Sequence, residues 1–208
     1  MDLSPGEQEK TAVEVLRGGG VVAFPTDTVY GLGASAKLEL ALKRIYQIKR
    51  RSLNLALPLL LADVSDIEKV AAFVPRIGWQ LANCFLPGGL TLVLPKATWV
   101  SPLVTAGGDT VAVRVPNHPV PRALARGLGV PIVGTSANIT GQPSPLTVAE
   151  VRRQLGNKVD FIVEGECPGG VESTVVDVTR DPPVLLREGA ISQQEIEAAC
   201  GFKLVRQA

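Results

Sequence analysis

The run Val21-Val22-Ala23-Phe24-Pro25-Thr26-Asp27-Thr28-Val29-Tyr30-Gly31-Leu32-Gly33 decides how this chain is read. Four apolar, strand-prone residues stop at Pro25, which cannot donate to a sheet ladder. Two hydroxyls and a carboxylate follow at once. Gly31 and Gly33 then allow the backbone to bend or to approach a ligand closely. Open α/β sheets keep their ligands at strand ends of this kind. A plain hairpin or strand–loop–helix connection fits the stretch equally well.

Working outward, Ser4-Pro5 opens a helix whose apolar stripe is Ala12, Val13 and Leu16, and Gly18-Gly19-Gly20 ends it before the opening strand. Residues 38–50 form a second amphipathic helix, apolar at Leu40, Leu42, Ile45 and Ile48. Its end carries Lys43, Arg44, Lys49, Arg50 and Arg51. Cations there complement the helix dipole, but three adjacent ones exceed what capping needs and point to a polyanion. Periodicity predicts strands over 57–61, 90–95, 110–116, 130–134, 161–163, 172–178 and 184–187. It predicts helices near 64–73, 75–84, 119–128 and 147–155, and a C-terminal helix over 192–208. Strands and helices alternate with no repeat or linker, so the expectation is one α/β domain over 1–208, a twisted mixed β-sheet flanked by helices.

Composition narrows the classes. Hydrophobic residues reach 46% and aromatics only 4%, so the core must be aliphatic. With 21 Lys and Arg against 20 Asp and Glu, no global field announces nucleic acid or a membrane surface, and any anion site must be local. Cys84, Cys167 and Cys200 are scattered and form no C-x-x-C pair; with His118 the sole histidine, no zinc site is expected. The polar, acidic MDLSPGEQEK start is unlike a signal peptide. The apolar run Leu55 to Ala62 is too short to span a bilayer. Reduced thiols and a cytoplasmic location are the expectation.

Polar groups gather at strand ends: Thr26 and Thr28, Thr110 and Arg114, Ser136 and Asn138, Ser173 and Thr174, and Arg187, with Lys49 and Arg51 joining from a helix end. The chain has no nucleophile-elbow motif, no paired carboxylates and no Walker-type loop. Cations, hydroxyls and a carboxamide hold phosphates and small polar substrates and offset developing negative charge. The set suggests phosphoryl or adenylyl chemistry done by positioning, and leaves the substrate open.

The motifs P-T-D-T-V-Y-G-L-G, K-x-R, A-V-R-V-P-N-H-P, G-T-S-A-N-x-T-G-x-P-S, E-S-T-V-V-D and L-R-E-G-A-I-S, between about Glu7 and Ser192, resemble the YrdC/TsaC family of L-threonylcarbamoyladenylate synthases. The resemblance implies a single YrdC-like domain with a concave, positively lined groove. It implies formation of threonylcarbamoyl-AMP and pyrophosphate from L-threonine, bicarbonate and ATP with Mg²⁺, for threonylcarbamoyladenosine modification of tRNA by partner proteins of that pathway. The K-x-R and S-x-N tetrad falls on Lys49, Arg51, Ser136 and Asn138. By resemblance Lys49 and Arg51 meet the ATP phosphates, with Thr110, Asn138 and Arg187 on the nucleotide. Thr26, Thr28, Arg114, Ser136 and Ser173 fall to L-threonine, and no residue is assigned as a metal ligand. The chain departs from the family after K-x-R, where Ser52 and Ala56 stand for two prolines and Leu55 for a polar residue. Ending soon after R-E-G-A-I-S, it resembles the short form without an extra C-terminal domain.

Two other readings use the same residues. One is a non-catalytic protein that binds tRNA or double-stranded RNA through the Lys43–Arg51 cluster, against which the balanced charge and few aromatics argue. The other is a carbamoyl-adenylate-forming paralogue, whose known forms are long multidomain chains.

Overall fold

The structure, a computed structural model, describes residues 3–206. In chain order the elements are α1 (Pro5–Arg17), β1 (Val22–Phe24), β2 (Gly31–Ser35), α2 (Glu39–Lys49), β3 (Leu59–Leu60), α3 (Ile67–Val70), α4 (Arg76–Phe85), β4 (Leu90–Pro95) and α5 (Pro102–Thr105). They continue with β5 (Thr110–Arg114), α6 (Pro119–Leu128), β6 (Ile132–Ser136), α7 (Val148–Leu155), β7 (Phe161–Ile162), β8 (Thr174–Asp177), β9 (Val184–Arg187), α8 (Gln193–Cys200) and β10 (Val205–Arg206). The strands make one mixed sheet in the order β10-β9-β8-β4-β5-β3-β6-β2-β1-β7. β4 pairs antiparallel with β5 and parallel with β8, so the sheet is neither purely wound nor a meander.

Local chemistry starts and stops the helices as their sequences suggest. Ser4 and Glu7 form a reciprocal capping box at α1, and Thr147 with Glu150 repeats it at α7. The stripe Ala12, Val13 and Leu16 is buried with Val22, Phe24, Leu124 and Ile132, so α1 and α6 cover one face of β1 and β6. The larger cluster fills the opposite face, with Leu42, Ile45, Leu59, Leu81, Leu92 and Val113 among its members.

Several expectations shift. Gly31 and Gly33 do not make a turn; they sit inside β2, paired antiparallel with Phe24 and Val22 of β1. A Cβ on either would lie 2.7 Å from the Phe24 ring, and one on Gly33 would also meet the Val133 carbonyl oxygen at 2.7 Å. These glycines let a buried aromatic lie across the neighbouring strand. Gly33→Ala is therefore expected to cost about 2–3 kcal/mol, read as a lower urea midpoint with an unchanged m-value. Gly31→Ala, which would meet only the flexible ring, is expected to cost less.

The predicted helix over 64–73 is a short 3-10 turn, Val64–Asp66, followed by α3, because Ala71 turns extended to bridge Lys96. The C-terminal helix ends at Cys200, where Gly201 adopts a left-handed cap, and β10 follows; positions 207 and 208 of that prediction lie outside the described residues. Leu40, read as part of an apolar stripe, is 78% exposed. The predicted strand over 57–61 shortens to β3, and Val130 and Pro131 precede β6.

Candidate functional site

Strand alternation builds the site. On β4, β5 and β8 the residues Leu92, Val113 and Val176 face the large core, while their neighbours Val93, Ala112 and Val175 line a cavity of about 630 Å³ on the other face. Thr91, Arg114 and Ser173 continue those lining rows, and Leu60, Gly134, Ser136, Leu186 and Arg187 extend the wall across β3, β6 and β9. The floor is thus the face of the central strands that α1 and α6 leave uncovered.

Lys49 and Arg51 reach the cavity because α2 breaks between them. Two residues apart on a helix they would diverge. Arg50, however, ends α2 in the left-handed region (φ 50°), its N–H bonded to Gln47 and Tyr46 carbonyls. Lys49 turns inward and is 2% exposed. Its Nζ donates to the Ser136 carbonyl, to the Asn138 carbonyl at 2.7 Å and to Asn138 Oδ1 at 3.0 Å. All its protons are therefore engaged, and Lys49 holds the 136–138 turn. This differs from the expected direct contact with phosphates: the charge reaches the cavity while the N–H groups do not. Burial first, then the Arg51 guanidinium, pushes the Lys49 ammonium down to about 7, with Glu172 opposing.

Arg51 lies at the mouth. Its Nε donates to the Leu55 carbonyl at 3.2 Å and Nη2 to the Ala56 carbonyl at 2.9 Å. The Tyr46 hydroxyl also meets the Leu55 carbonyl, at 3.0 Å. The loop that lacks the family's prolines is held by these two side chains instead.

At the deep end Arg114 is buried. Nε donates to the Gly88 carbonyl at 2.9 Å, Nη1 to Thr28 Oγ1 at 2.9 Å and Nη2 to Asp27 Oδ1 at 2.6 Å. One N–H on each terminal nitrogen stays uncommitted, the pair a carboxylate takes in bidentate form. Thr26 Oγ1 donates to the Val29 carbonyl at 2.7 Å and accepts the Thr28 and Val29 N–H groups, so it shapes the turn above Arg114. Ser173 Oγ and Thr91 Oγ1 share a hydrogen bond at 2.9 Å.

On the opposite rim Arg187 donates from Nε to the Ser173 carbonyl at 3.0 Å and from Nη1 to Glu172. Ser144 donates to Glu172 Oε1 at 2.7 Å. Burial raises the Glu172 carboxyl, but Ser144, Arg187, Ser136 and Lys49 together hold it below the usual range. Ser136 donates to Asn138 Oδ1 at 2.5 Å, and Asn138 Nδ2 donates to the Gln142 carbonyl at 2.6 Å.

The cavity gathers Thr26, Thr28, Lys49, Arg51, Arg114, Ser136, Asn138, Ser173 and Arg187. Thr110 is not in the wall: it opens β5 opposite Pro95, on the face of Ala112 and Arg114 but one repeat beyond the last lining residue. Sequence reasoning missed Thr91 and Glu172 as site residues. Thr91 is signalled only by alternation on β4, and Glu172 only by its place beside Ser173. His118 caps α6, its Nδ1 accepting the Val120 N–H at 3.2 Å, and lies outside the wall. The basic cluster disperses: Arg44 pairs with both Asp160 oxygens, Lys43 and Arg50 face outward, and only Lys49 and Arg51 turn to the cavity. That dispersal removes the continuous basic stripe an RNA backbone would follow.

A polyanion drawn to this cavity would restore the proton that burial weakens on Lys49. Binding of inorganic pyrophosphate near pH 8 is therefore expected to take up a proton. Calorimetry in two buffers of different ionisation enthalpy reads it directly, and Lys49→Met is expected to remove the uptake.

Comparison with known proteins adds a separate observation. A family model described as Sua5/YciO/YrdC, telomere recombination, matches residues 14–189. Threonylcarbamoyl-AMP synthase of Bacillus subtilis is 47% identical over 192 residues, covering 91% of this chain and 56% of the relative. The Pyrococcus abyssi protein of the same name is 45% identical, covering 92% and 57%. A crystal structure of P. abyssi Sua5 complexed with L-threonine superposes with a TM-score of 0.93 at 41% identity, covering 100% of this chain and 61% of that one. The chain thus spans little more than half the length of these relatives.

Proposed function

The chain belongs to the Sua5/YciO/YrdC family, and from that premise we propose that it is a threonylcarbamoyl-AMP synthase, joining L-threonine, bicarbonate and ATP. The threonine amine attacks the bicarbonate carbon and water leaves. An oxygen of the resulting carbamate attacks the α-phosphorus of ATP, and pyrophosphate departs. The product is consumed in modifying an adenosine of tRNA, with partner proteins of that pathway.

One observation carries the reading: a single cavity has a buried guanidinium with a free N–H pair at its deep end and two further guanidiniums at its mouth. Arg114 takes the threonine carboxylate, with Ser173 and Thr28 beside it. Arg51 and Arg187 offset charge on the departing pyrophosphate, and the Lys49 charge lies beneath them. Ser136 and Asn138, held by Lys49, fix the wall between the two ends. Among the described residues no group of three or more His, Cys, Asp or Glu forms a cage for a metal ion. Magnesium accordingly enters on the triphosphate, which supplies most of its ligands and spreads the charge on the leaving oxygens. No helix among the described residues is long and apolar enough to cross a membrane, which suits work on soluble tRNA in the cytoplasm.

The test is mass spectrometry of the adenylate formed from ATP, Mg²⁺, bicarbonate and a panel of amino acids, with pyrophosphate release followed in parallel. The expected result is threonylcarbamoyl-AMP, dependent on threonine and bicarbonate. A folded sample that releases pyrophosphate with carbamoyl phosphate but not with threonine would overturn the reading in favour of the carbamoyl-adenylate activity.

A further inference from the structure

We propose that Cys84 and Cys200 form a reversible disulfide that rivets the last helix to the body of the fold. Gln80 and Cys84 lie one turn apart on α4, on the face turned to α8. Gln80 Nε2 donates to the Cys200 carbonyl at 2.8 Å and so fixes the end of α8 against that face. The Cys84 and Cys200 thiols then meet as hydrogen-bond partners. Sulfurs in such contact need only side-chain rotation to reach the bonded separation of about 2 Å.

The pair also has the asymmetry that exchange chemistry uses. Cys84 is exposed and Cys200 buried, so an oxidant from solvent reaches one sulfur and the other resolves. With oxidised glutathione, the Cys84 thiolate attacks one glutathione sulfur, the glutathione S–S bond breaks and one glutathione thiol leaves. The Cys200 thiolate then attacks the Cys84 sulfur of the mixed disulfide and releases the second glutathione thiol. Two protein thiols are oxidised, one glutathione disulfide is reduced to two thiols, and the protons lost by the cysteines end on them. Burial, then the neighbouring Cys84, pushes the Cys200 thiol up to about 11, so the resolving step quickens as pH rises.

The bond would close a loop of more than about 100 residues, the case in which a cross-link most restricts the unfolded chain. That loop contains β4 through β9, hence Thr91, Arg114, Ser136, Ser173 and Arg187 of the cavity wall. The start of α8 is tied to the same wall, because Thr174 Oγ1 donates to the Ile191 carbonyl and accepts the Ile191 N–H at 3.0 Å. The rivet stands whether or not the proposed adenylate chemistry does.

The experiment treats the reduced full chain with oxidised glutathione, followed by intact-mass analysis, peptide mapping without reductant and thermal unfolding. The expected product has lost two hydrogens and carries no glutathione. It yields a Cys84–Cys200 linked peptide and unfolds about 5–10 °C higher, and dithiothreitol reverses all three. Cys167→Ser is expected to keep the behaviour, and Cys84→Ser, at an exposed site, to abolish it while folding normally. A stable glutathione adduct on Cys84 with Cys200 still reduced would overturn the proposal. So would a linked peptide with no rise in unfolding temperature.

Discussion

Arg114→Ala is expected to lower the thermal midpoint by about 10 °C and to abolish adenylate formation. The side chains of Arg114 and Asp27 are 8% and 14% exposed. Removing the guanidinium leaves the Asp27 carboxylate without its 2.6 Å partner, and breaking a buried pair from one side costs about 3–5 kcal/mol. For a chain of this length each kcal/mol moves the midpoint by about 2–4 °C. The Gly88 carbonyl and the Thr28 hydroxyl lose their donors in the same step. Adding Asp27→Asn to the Arg114→Ala chain is expected to recover part of the stability, since the orphaned charge is gone, and none of the activity. Scanning calorimetry on the two variants checks this; a single variant within 2 °C of the parent would show the pair to be screened by water.

Arg51→Ala is expected to lower kcat for pyrophosphate release by about two to three powers of ten. The midpoint should move by no more than a few degrees, because Arg51 is half-buried at the mouth and its partners are loop carbonyls. Arg51→Lys keeps the charge but cannot span Leu55 and Ala56 with a planar fork. It is expected to retain more activity than alanine while raising KM for ATP, as the 52–56 wall loosens. Steady-state kinetics separate the two effects, and an alanine variant within tenfold of the parent would remove Arg51 from the phosphate site.

Stability should depend on pH through Lys49 in a fixed direction. Its folded value of about 7 lies below the ordinary lysine value, so between them the unfolded chain binds more protons than the folded one. Stability then rises with pH across that window and falls as pH drops toward 7. Lys49→Met is expected to flatten this slope in denaturation curves collected from pH 7 to 10.

The helices, most strands and the clustering of polar groups at strand ends were legible in the chain itself. Capping pairs such as Ser4 with Glu7, and the two-residue alternation through Thr110–Arg114, are local properties that neighbours in sequence dictate. The misreadings share one cause: each depended on a partner distant in sequence. Gly31 and Gly33 look like turn residues until Phe24 lies across them. Residues 71–73 keep a helical pattern until Ala71 bridges Lys96.

The motifs by themselves determined the family, the single α/β domain and nine of the ten residues assigned to the site. Only the tertiary structure decided what those residues do. It alone set Lys49 against three oxygens of the 136–138 segment, paired Arg114 with Asp27 and left Thr110 beyond the wall. Residue type sets which bonds a side chain can make. Which of them it does make depends on the atoms that folding brings within about 3 Å.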